Sequence, residues 1–307
     1  MKKITIIIPA AENTAVEALK GINSKEVRIL IERGKNPPQN RNKGIDKAKL
    51  KNKTPFIAFI NAHTILDKKW VKEVLKFFKK YPEIDIVGGP QLSSSKEKLF
   101  ARASGYALSS IFGSALASSR YKKTKLNLHA DESILTSANL ICRERVFDKV
   151  RFDETIYPGE DPTFIEDSIK AGFRVAYSPE ITVYNLRRQD IGSFFEQVFG
   201  YGRTRPQKES LLLTVKKPYF LIPSLFILYL AVLPSLLLIS RYILLPLAGY
   251  FLLDAIFAIY ESQKNNELMS SPLLLLLFPL IHIAYGLGFI YGTLTKNRNK
   301  QIVKLEK

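Results

Sequence analysis

Short apolar runs that end in polar residues recur through the N-terminal part of the chain. Ile4 to Ile8 ends at Pro9, Val27 to Ile31 ends at Glu32-Arg33-Gly34, and Pro55 to Ile60 continues into Asn61-Ala62-His63. Such runs are typical of strands that are buried on both faces of a parallel sheet. Because strand-like and helix-like segments alternate from the start of the chain, the pattern predicts an α/β fold with right-handed βαβ units.

The polar residues that follow these strands are the first candidates for chemistry. In open α/β sheets, ligands bind at the carboxyl ends of the strands. Side chains alternate along an extended chain, so Asn61 and His63 are expected on one side and Ala62 on the other. Glu32, at the end of the second predicted strand, is a further candidate, and the alternative for it is a solvated loop charge.

Two helices are predicted from the spacing of apolar residues. Trp70 to Lys80 is amphipathic and is expected to pack on the sheet. Pro162 to Ala171 is followed by Gly172, a residue type common just after a helix. The Glu160-Asp161 pair precedes this second helix, where the helix dipole would keep a carboxylate ionised. A charged pair at this position is also an ordinary helix cap, so the pattern alone leaves both interpretations open.

The composition changes after Pro218. Three long apolar runs follow, and each is about long enough to cross a hydrocarbon core of about 30 Å. They cover Tyr219 to Ser240, Tyr242 to Tyr260, and Pro272 to Leu294. We therefore expect an α/β domain over residues 1–213, a membrane segment over 214–295 with two or three transmembrane helices, and a basic tail over 296–307.

Basic residues near the first run predict the orientation. Arg203 to Lys208 and Lys216-Lys217 precede it, so the large domain is expected to be cytoplasmic. Three crossings would place the basic tail outside, against the positive-inside rule. Two alternatives follow: either the hairpin of residues 219–260 spans the membrane and the last run, Pro272 to Leu294, is re-entrant, or one of the three runs is interfacial.

Charge and cysteine content narrow the functional classes. The chain has 307 residues, a formal net charge of +18 and one cysteine, Cys142, so no internal disulfide is possible. A basic balance of this size suggests anionic partners such as nucleic acid, anionic lipid or phosphorylated substrates. The long apolar runs argue against nucleic acid.

Four short segments resemble the motifs of family 2 glycosyltransferases in their order along the chain. They are Arg41-Asn42-Lys43-Gly44-Ile45, Asn61-Ala62-His63, Phe152-Asp153-Glu154 and Gly159-Glu160-Asp161. Most members have Asp-x-Asp at the second motif, and the succinoglycan-type glucosyltransferase branch has Asp-Ala-His. The resemblance covers nearly the whole chain and implies a GT-A domain, Rossmann-like with a mostly parallel sheet, followed by C-terminal transmembrane helices.

The resemblance also implies an activity and a set of site residues. It implies inverting transfer of a sugar from a nucleotide-sugar donor to a membrane-associated acceptor, such as a polyprenyl-linked glycan or a lipid. Asp161 would be the base, with Glu160 beside it, and His63 would ligate a divalent metal, Mn²⁺ in preference to Mg²⁺. Asn61 departs from the motif because it carries no charge. The donor-binding residues implied are Pro9, Glu12, Glu32, Arg41, Asn42 and Asn61.

A later segment resembles the acceptor region of the same family. Gln197, Tyr201, Gly202 and Arg203 match Gln-x-x-x-Tyr-Gly-Arg, which lies on an amphipathic helix against the membrane and the acceptor. The alternative is a helix that only docks the domain. The segment His282 to Phe289 resembles a motif near the end of the succinoglycan-type branch, although its glycines also suit simple helix packing.

Two other functional classes remain as alternatives. A catalytically degenerate, membrane-anchored GT-A domain could bind glycans or act as a scaffold, and Asn61 and the absence of Asp-Asp-Gly after the second strand favour it. A transporter is disfavoured because the apolar runs contain one acidic residue, Asp254.

Overall fold

The computed structural model describes residues 2–18, 25–50, 54–208 and 218–305. The chain divides into two compact units. The first contains Met1–Glu97 and Leu116–Leu186, and the second contains Lys98–Ala115 and Arg187–Lys307. The expected domain boundary between residues 213 and 214 lies outside the described residues and stays a prediction. The basic pair Lys216-Lys217, used to predict the orientation, also lies outside them.

The secondary structure follows the alternation expected from the sequence. The strands are β1 (Ile4–Ala10), β2 (Val27–Arg33), β3 (Phe56–Ile60), β4 (Thr64–Leu66), β5 (Ile86–Gly88), β6 (Gln91–Leu92), β7 (Asn139–Arg143), β8 (Val175–Tyr177) and β9 (Val183–Asn185). The α-helices are α1 (Pro37–Leu50), α2 (Trp70–Lys80), α3 (Leu99–Ser109), α4 (Ile111–Ser114), α5 (Glu160–Lys170), α6 (Ile191–Lys208), α7 (Ile222–Leu237), α8 (Leu245–Lys264) and α9 (Ser271–Leu305).

The main sheet of the first unit has six strands in the order β2-β1-β3-β7-β5-β8. β1 pairs in parallel with β2 and β3, and β5 pairs in parallel with β8. β7 lies between β3 and β5 and is antiparallel to both. The predicted α/β fold with a mostly parallel sheet is confirmed, with β7 as the exception.

Both faces of this sheet are covered, which explains why its strands read as continuous apolar runs. All five residues of β3 are buried. Ala58 and Ile60 point into a core that includes Trp70 and Val74 of α2. Phe59 points to the opposite face, where the core includes residues from α1, β7 and α5. Burial on both sides fixes where each strand ends, and therefore where its polar successors lie.

A second, smaller sheet begins immediately after Asn61-Ala62-His63. Its order is β4-β9-β6, with β4 antiparallel and β6 parallel to β9. The backbone N–H of Leu186, just after β9, donates to the carbonyl of His63 at 3.0 Å. The segment that carries the candidate motif is therefore held at both ends by sheets, β3 on one side and β4 on the other.

In the second unit, α6 and α9 pack with their backbones in close contact. A Cβ on Gly202 would lie 2.1 Å from the carbonyl oxygen of Tyr285, and one on Gly288 would lie 2.1 Å from that of Phe199. One on Gly292 would lie 2.0 Å from the carbonyl oxygen of Arg203. Small residues allow this approach, as at helix interfaces in membranes.

Two segments among the described residues are long and apolar enough to cross a membrane. They are Arg241–Lys264, with a mean hydropathy of 2.0, and Leu268–Lys296, with a mean hydropathy of 2.3. The third apolar helix, Ile222–Leu237, is shorter. Their large apolar side chains face outward in numbers that are unusual for a surface in water, including Leu252, which is 64% exposed.

Candidate active site

The centre of the candidate site is a cluster of four side chains from three separate parts of the first unit. Arg41 Nη1 donates to Glu160 Oε1 at 2.8 Å and lies 3.9 Å from Asp161 Oδ1. Arg41 Nη2 donates to Asn61 Oδ1 at 3.4 Å. We call these residues the arginine–carboxylate cluster. The structure thus brings together residues that the sequence singled out in three different motifs.

The local structure aims these side chains at one point. Asn61 follows β3, and Glu160 is the first residue of α5, whose N-cap is Gly159. Gly159 has a φ of 119°, a left-handed conformation that favours glycine. Its N–H donates to Glu160 Oε2 at 2.9 Å, which fixes the carboxylate at the helix start.

The aromatic ring of Phe152 packs against the guanidinium of Arg41. The Arg41 guanidinium carbon lies 5.3 Å from the ring centroid of Phe152, a cation–π geometry. Phe152 in turn stacks on Phe164 of α5, with centroids 4.4 Å apart. Sequence reasoning used Phe152 only as part of a motif and missed this role. The ring of Phe152 thus holds the Arg41 guanidinium in place between the hydrophobic core and the carboxylates of Glu160 and Asp161.

The cluster has two carboxylates for one guanidinium. Arg41 and Glu160 are nearly fully buried, and the Asp161 side chain is 19% exposed. Burial raises the pKa of Glu160 to about 7, and the neighbouring Asp161 charge adds to this, against the opposing effect of Arg41. Asp161 Oδ1 has no hydrogen-bond partner among the described residues. A buried, unpaired carboxylate oxygen is a candidate proton acceptor.

Asn42, next to Arg41, ties α1 to the Phe152-Asp153-Glu154 turn. Its Nδ2 donates to the carbonyl of Phe152 at 2.9 Å and to Glu154 Oε1 at 2.8 Å. Its Oδ1 accepts from the N–H of Phe152 at 3.1 Å. These bonds hold the ring of Phe152 beneath Arg41. The predicted donor contact of Asn42 is not tested by this geometry and stays a prediction.

The first turn of α1 does not present free backbone N–H groups to a phosphate. Pro37 and Pro38 have no N–H, and the N–H groups of Gln39 and Asn40 both donate to Asn36. Arg41 is the fifth residue of this helix. A contact of α1 with a donor diphosphate would therefore come from the Arg41 guanidinium and not from the helix terminus.

The ends of β1 and β2 place Pro9 and Glu32 side by side. The two residues are register partners in the parallel pair. Glu32 is only 6% exposed, and its Oε2 accepts from Lys47 Nζ at 2.8 Å. The predicted donor role of Glu32 would therefore involve a carboxylate that is already paired with a lysine of α1.

Arg33 organises the loop that carries Glu12. Its Nη1 donates to the carbonyls of Ala11, Glu12 and Thr14 at 2.9, 2.8 and 3.2 Å. The side chain of Glu12 is exposed. Sequence reasoning did not assign a role to Arg33, although its place beside Glu32 was the available signal.

His63 is exposed. A chain of hydrogen bonds that sequence reasoning missed starts next to it. Thr64 Oγ1 donates to Asn185 Oδ1 at 3.0 Å, Asn185 Nδ2 to Gln91 Oε1 at 3.5 Å, and Gln91 Nε2 to Thr136 Oγ1 at 2.6 Å. These side chains fix β4, and with it the backbone that carries His63.

No group of three His, Cys, Asp or Glu side chains that could hold a metal occurs among the described residues. The exposed imidazole of His63 and the amide oxygen of Asn61 are the ligand types available at the end of β3. A metal here would take most of its ligands from phosphate oxygens of a bound substrate, because His63 supplies one nitrogen and the Asn61 oxygen already accepts from Arg41.

The predicted acceptor residues lie on α6 in the second unit. Gln197 Nε2 donates to the Tyr201 hydroxyl at 3.0 Å, and Tyr201 is 40% exposed. Gly202 is buried against α9, as described above, and Arg203 is half-buried. Gln197 and Tyr201 thus form one exposed polar pair on the helix, while Gly202 makes a packing contact.

Residues 11–151 match the family model described as Glycosyl transferase family 2. The matched residues contain Arg41, Asn42, Asn61 and His63, in the part of the chain where the sequence predicts a GT-A domain. No curated protein matches the chain in sequence.

Two solved structures are similar to it at 11% sequence identity. They are A197 from STIV, with a TM-score of 0.42 over 61% of this chain and 87% of that one, and S. aureus TarS, with a TM-score of 0.43 over 65% of this chain and 39% of that one.

Proposed function

We propose that the protein transfers a sugar, a hexose in our interpretation, from a nucleotide-sugar donor to a membrane-associated acceptor with inversion at the anomeric carbon. The acceptor class is a lipid or a lipid-linked glycan, such as a polyprenyl-linked one, in polysaccharide biosynthesis. One observation carries the proposal beyond the family match. Asp161, the second residue of α5, has a buried oxygen without a hydrogen-bond partner, beside a guanidinium that is bound to Glu160.

The proposed reaction is a single displacement. The acceptor oxygen attacks the anomeric carbon while the bond from that carbon to the donor diphosphate breaks, and the electron pair leaves with the diphosphate. Asp161 Oδ1 takes the acceptor's hydroxyl proton as general base. Asp161 lies in the first turn of α5, next to the guanidinium of Arg41. Glu160 holds Arg41 and thereby sets the charge around the base.

The donor side is assigned to residues at the ends of β1, β2 and β3. Arg41 carries the positive charge that would lie against the diphosphate, and Asn61 would accept or donate a hydrogen bond there. The loop held by Arg33 would place Glu12 against the nucleotide. The full proposed set is Pro9, Glu12, Glu32, Arg41, Asn42 and Asn61.

A divalent metal, Mn²⁺ in preference to Mg²⁺, would be held by His63 and would offset the charge of the leaving diphosphate. The imidazole is exposed and therefore open to a metal that arrives with the donor. Asn61 supplies at most a neutral oxygen, so the protein contributes less charge to this ion than an Asp-x-Asp motif does.

The second unit is assigned to the acceptor and the membrane. We propose that α8 and α9 anchor an integral protein of the cell membrane, because their outward side chains are apolar. The basic residues before α7 support a cytoplasmic catalytic domain. Gln197, Tyr201, Gly202 and Arg203 of α6 would position the acceptor. The partners are the donor, the acceptor and the membrane, and not nucleic acid.

The test is a panel of nucleotide sugars given to the full-length protein in lipid nanodiscs with Mn²⁺. Release of nucleoside diphosphate is measured without acceptor, and transfer is measured with a polyprenyl-phosphate-linked glycan. The proposal expects at least one donor to be turned over and Asp161→Asn to remove transfer. Failure of every donor, together with binding of glycans, would contradict it.

That negative outcome would favour the degenerate alternative, a glycan-binding or scaffold protein. One observation is in its favour: the Oδ1 of Asn61 accepts from Arg41 and carries no charge with which to hold a metal. The panel with and without Mn²⁺ separates the two functions.

A further inference from the structure

A segment from the middle of the chain folds with the C-terminal helices. Residues Lys98–Ala115, which contain α3 and α4, belong to the second unit although the chain on both sides of them belongs to the first. We call this segment the inserted hairpin. Its residues are small or apolar along most of α3, and Ala101, Ala103 and Ala107 are fully buried. Contacts within the second unit must therefore hold the inserted hairpin in place.

The tip of the inserted hairpin is enclosed by aromatic rings. Phe112 stacks on Phe257 with centroids 5.0 Å apart and an interplanar angle of 6°. Phe278 and His282 meet it edge-on, with centroids at 5.2 and 5.1 Å. Tyr250 lies at 5.7 Å. These rings come from α8 and α9, the two helices that are long enough to span a membrane.

His282 joins this tip to both helices through its two ring nitrogens. A carbonyl oxygen only accepts, so the bond of 2.8 Å between Nε2 and the carbonyl of Phe112 requires a proton on Nε2. Nδ1 is then free to accept from the Tyr250 hydroxyl at 2.7 Å. In the neutral ring with its proton on Nε2, both nitrogens have a hydrogen-bond partner. We call Phe112, Tyr250 and His282 the histidine latch.

A second clamp holds the other end of the inserted hairpin. Arg102 Nε donates to Glu267 Oε2 at 3.1 Å, and the Tyr106 hydroxyl donates to the same oxygen at 3.0 Å. The hydrogen bond from Arg102 lowers the pKa of Glu267, so the pair is ionised at neutral pH. The hairpin is therefore fixed to the turn before α9 as well as to α8 and α9.

The inserted hairpin and the predicted acceptor helix rest on the same support. Phe100 of α3 meets Phe194 of α6 edge-on, with centroids 6.3 Å apart. His282 lies less than one turn before Tyr285, whose carbonyl oxygen touches the backbone of α6 at Gly202. α6 is thus braced by the hairpin on one side and by α9 on another.

We propose that His282 is a positioning residue for the acceptor: by latching Phe112, it fixes the inserted hairpin and, through Phe100 and α9, the pose of α6. This inference rests on the proposed function, in which α6 carries Gln197 and Tyr201 to the acceptor. It predicts that breaking the latch weakens acceptor use and spares the chemistry on the donor. His282 itself touches neither substrate.

The kinetic test uses His282→Leu and His282→Gln in the full-length protein in nanodiscs. His282→Leu removes the hydrogen bonds to Phe112 and Tyr250 and should raise KM for the lipid-linked acceptor about three- to tenfold. His282→Gln should restore most of this, because a glutamine amide N–H can donate to the Phe112 carbonyl. Donor hydrolysis without acceptor should change less than twofold in both variants.

Tyr260→Phe is the matched control, because Tyr260 lies on α8, as Tyr250 does, and is 54% exposed. It should leave all constants unchanged, whereas Tyr250→Phe should move acceptor KM in the direction of His282→Leu. An unchanged acceptor KM in His282→Leu, or equal loss in the Gln variant, would overturn the inference while the proposed function stood.

A measurement that does not depend on activity separates failure of the proposed function from failure of the histidine latch. Phe112→Trp adds an indole beside His282. Trp70 is the only tryptophan of the parent protein, so the fluorescence of the parent gives the background to subtract. Lipids brominated in their acyl chains should quench the added indole, and His282→Leu should change that quenching. If no donor is turned over, the proposed function fails and this measurement still tests the latch. Equal quenching with and without His282 would refute it.

Discussion

The arginine–carboxylate cluster of the first unit and the histidine latch of the second are both buried polar groups. They differ in charge and in whether each polar atom has a hydrogen-bond partner. In the cluster, one guanidinium faces two carboxylates, and Arg41 Nε and Asp161 Oδ1 have no hydrogen-bond partner in the described structure. In the latch, a neutral imidazole has one partner at each nitrogen.

This difference separates a reactive arrangement from a structural one. A buried charged group with a missing hydrogen bond costs free energy and persists where chemistry uses it, whereas a fully hydrogen-bonded neutral network makes its surroundings rigid. We therefore assign proton transfer to the cluster and positioning to the latch. Variants of the cluster test one side of that contrast, and variants of His282 and Tyr250 test the other.

The largest effect is expected at the unpaired carboxylate. Asp161→Asn removes the proton acceptor and should lower sugar transfer about 10²-fold or more, the scale of a general base. Donor binding, measured by thermal stabilisation with the nucleotide sugar, should stay near the parent value. Asp167→Asn is the control, because Asp167 lies on the same helix with its side chain 49% exposed. Near-parent turnover in Asp161→Asn would remove Asp161 from the mechanism.

The next effect concerns the stability of the charged cluster. Arg41→Leu leaves Glu160 and Asp161 without their cation, and losing one partner of a buried pair costs about 3–5 kcal/mol. For a unit of this size that loss should lower the thermal midpoint by about 10 °C. Arg151→Leu breaks an exposed pair with Asp46 and should change the midpoint by about 2 °C or less. Equal shifts in both variants would mean that the cluster is not specially stabilised by Arg41.

A smaller effect is expected at the end of β3. Because His63 is the proposed metal ligand and Asn61 carries no charge, activity should require added metal and prefer Mn²⁺. Asn61→Asp should tighten Mn²⁺ binding, and His63→Ala should weaken it. The binding is measured by electron spin resonance titration of the free ion. His129→Ala controls for the loss of an imidazole elsewhere in the first unit. Full activity in EDTA would exclude His63 from this role.

Features that depend on contiguous residues could be predicted from the sequence. Trp70 to Lys80 forms a helix with the predicted bounds, because its apolar spacing is regular along one face. The candidate residues Arg41, Asn61, Glu160 and Asp161 meet in space, because they lie on α1, directly after β3 and in the first turn of α5, elements whose places in an α/β fold are constrained.

Features that depend on contacts between distant residues could not. The antiparallel course of β7 is set by pairing with β3 and β5, and no local signal in Asn139–Arg143 reveals it. The bond between His282 and the carbonyl of Phe112 joins residues 170 positions apart. The sequence motif around His282 drew attention to its glycines, but the partner of the imidazole was visible only in three dimensions.

The smallest effect is a pH dependence that belongs to the charged cluster. The pKa of Glu160 is raised from its ordinary value of 4.5 to about 7, mainly by burial. Between these two values the folded protein holds a proton that the unfolded chain has released. The free energy of unfolding contributed by this group therefore falls as pH rises from about 4.5 to about 7, and it is constant above.

Glu160→Gln removes this titration while keeping an oxygen that can accept from Arg41. The thermal midpoint of the parent minus that of the variant should fall by a few degrees across this pH window and level off above it. Glu166→Gln, on the exposed side of the same helix, should show no such trend. A difference curve that rises with pH would mean that Arg41 outweighs burial and that the Glu160 pKa is lowered. The cluster would then be a satisfied ion pair like other structural pairs, and its contrast with the histidine latch would not hold.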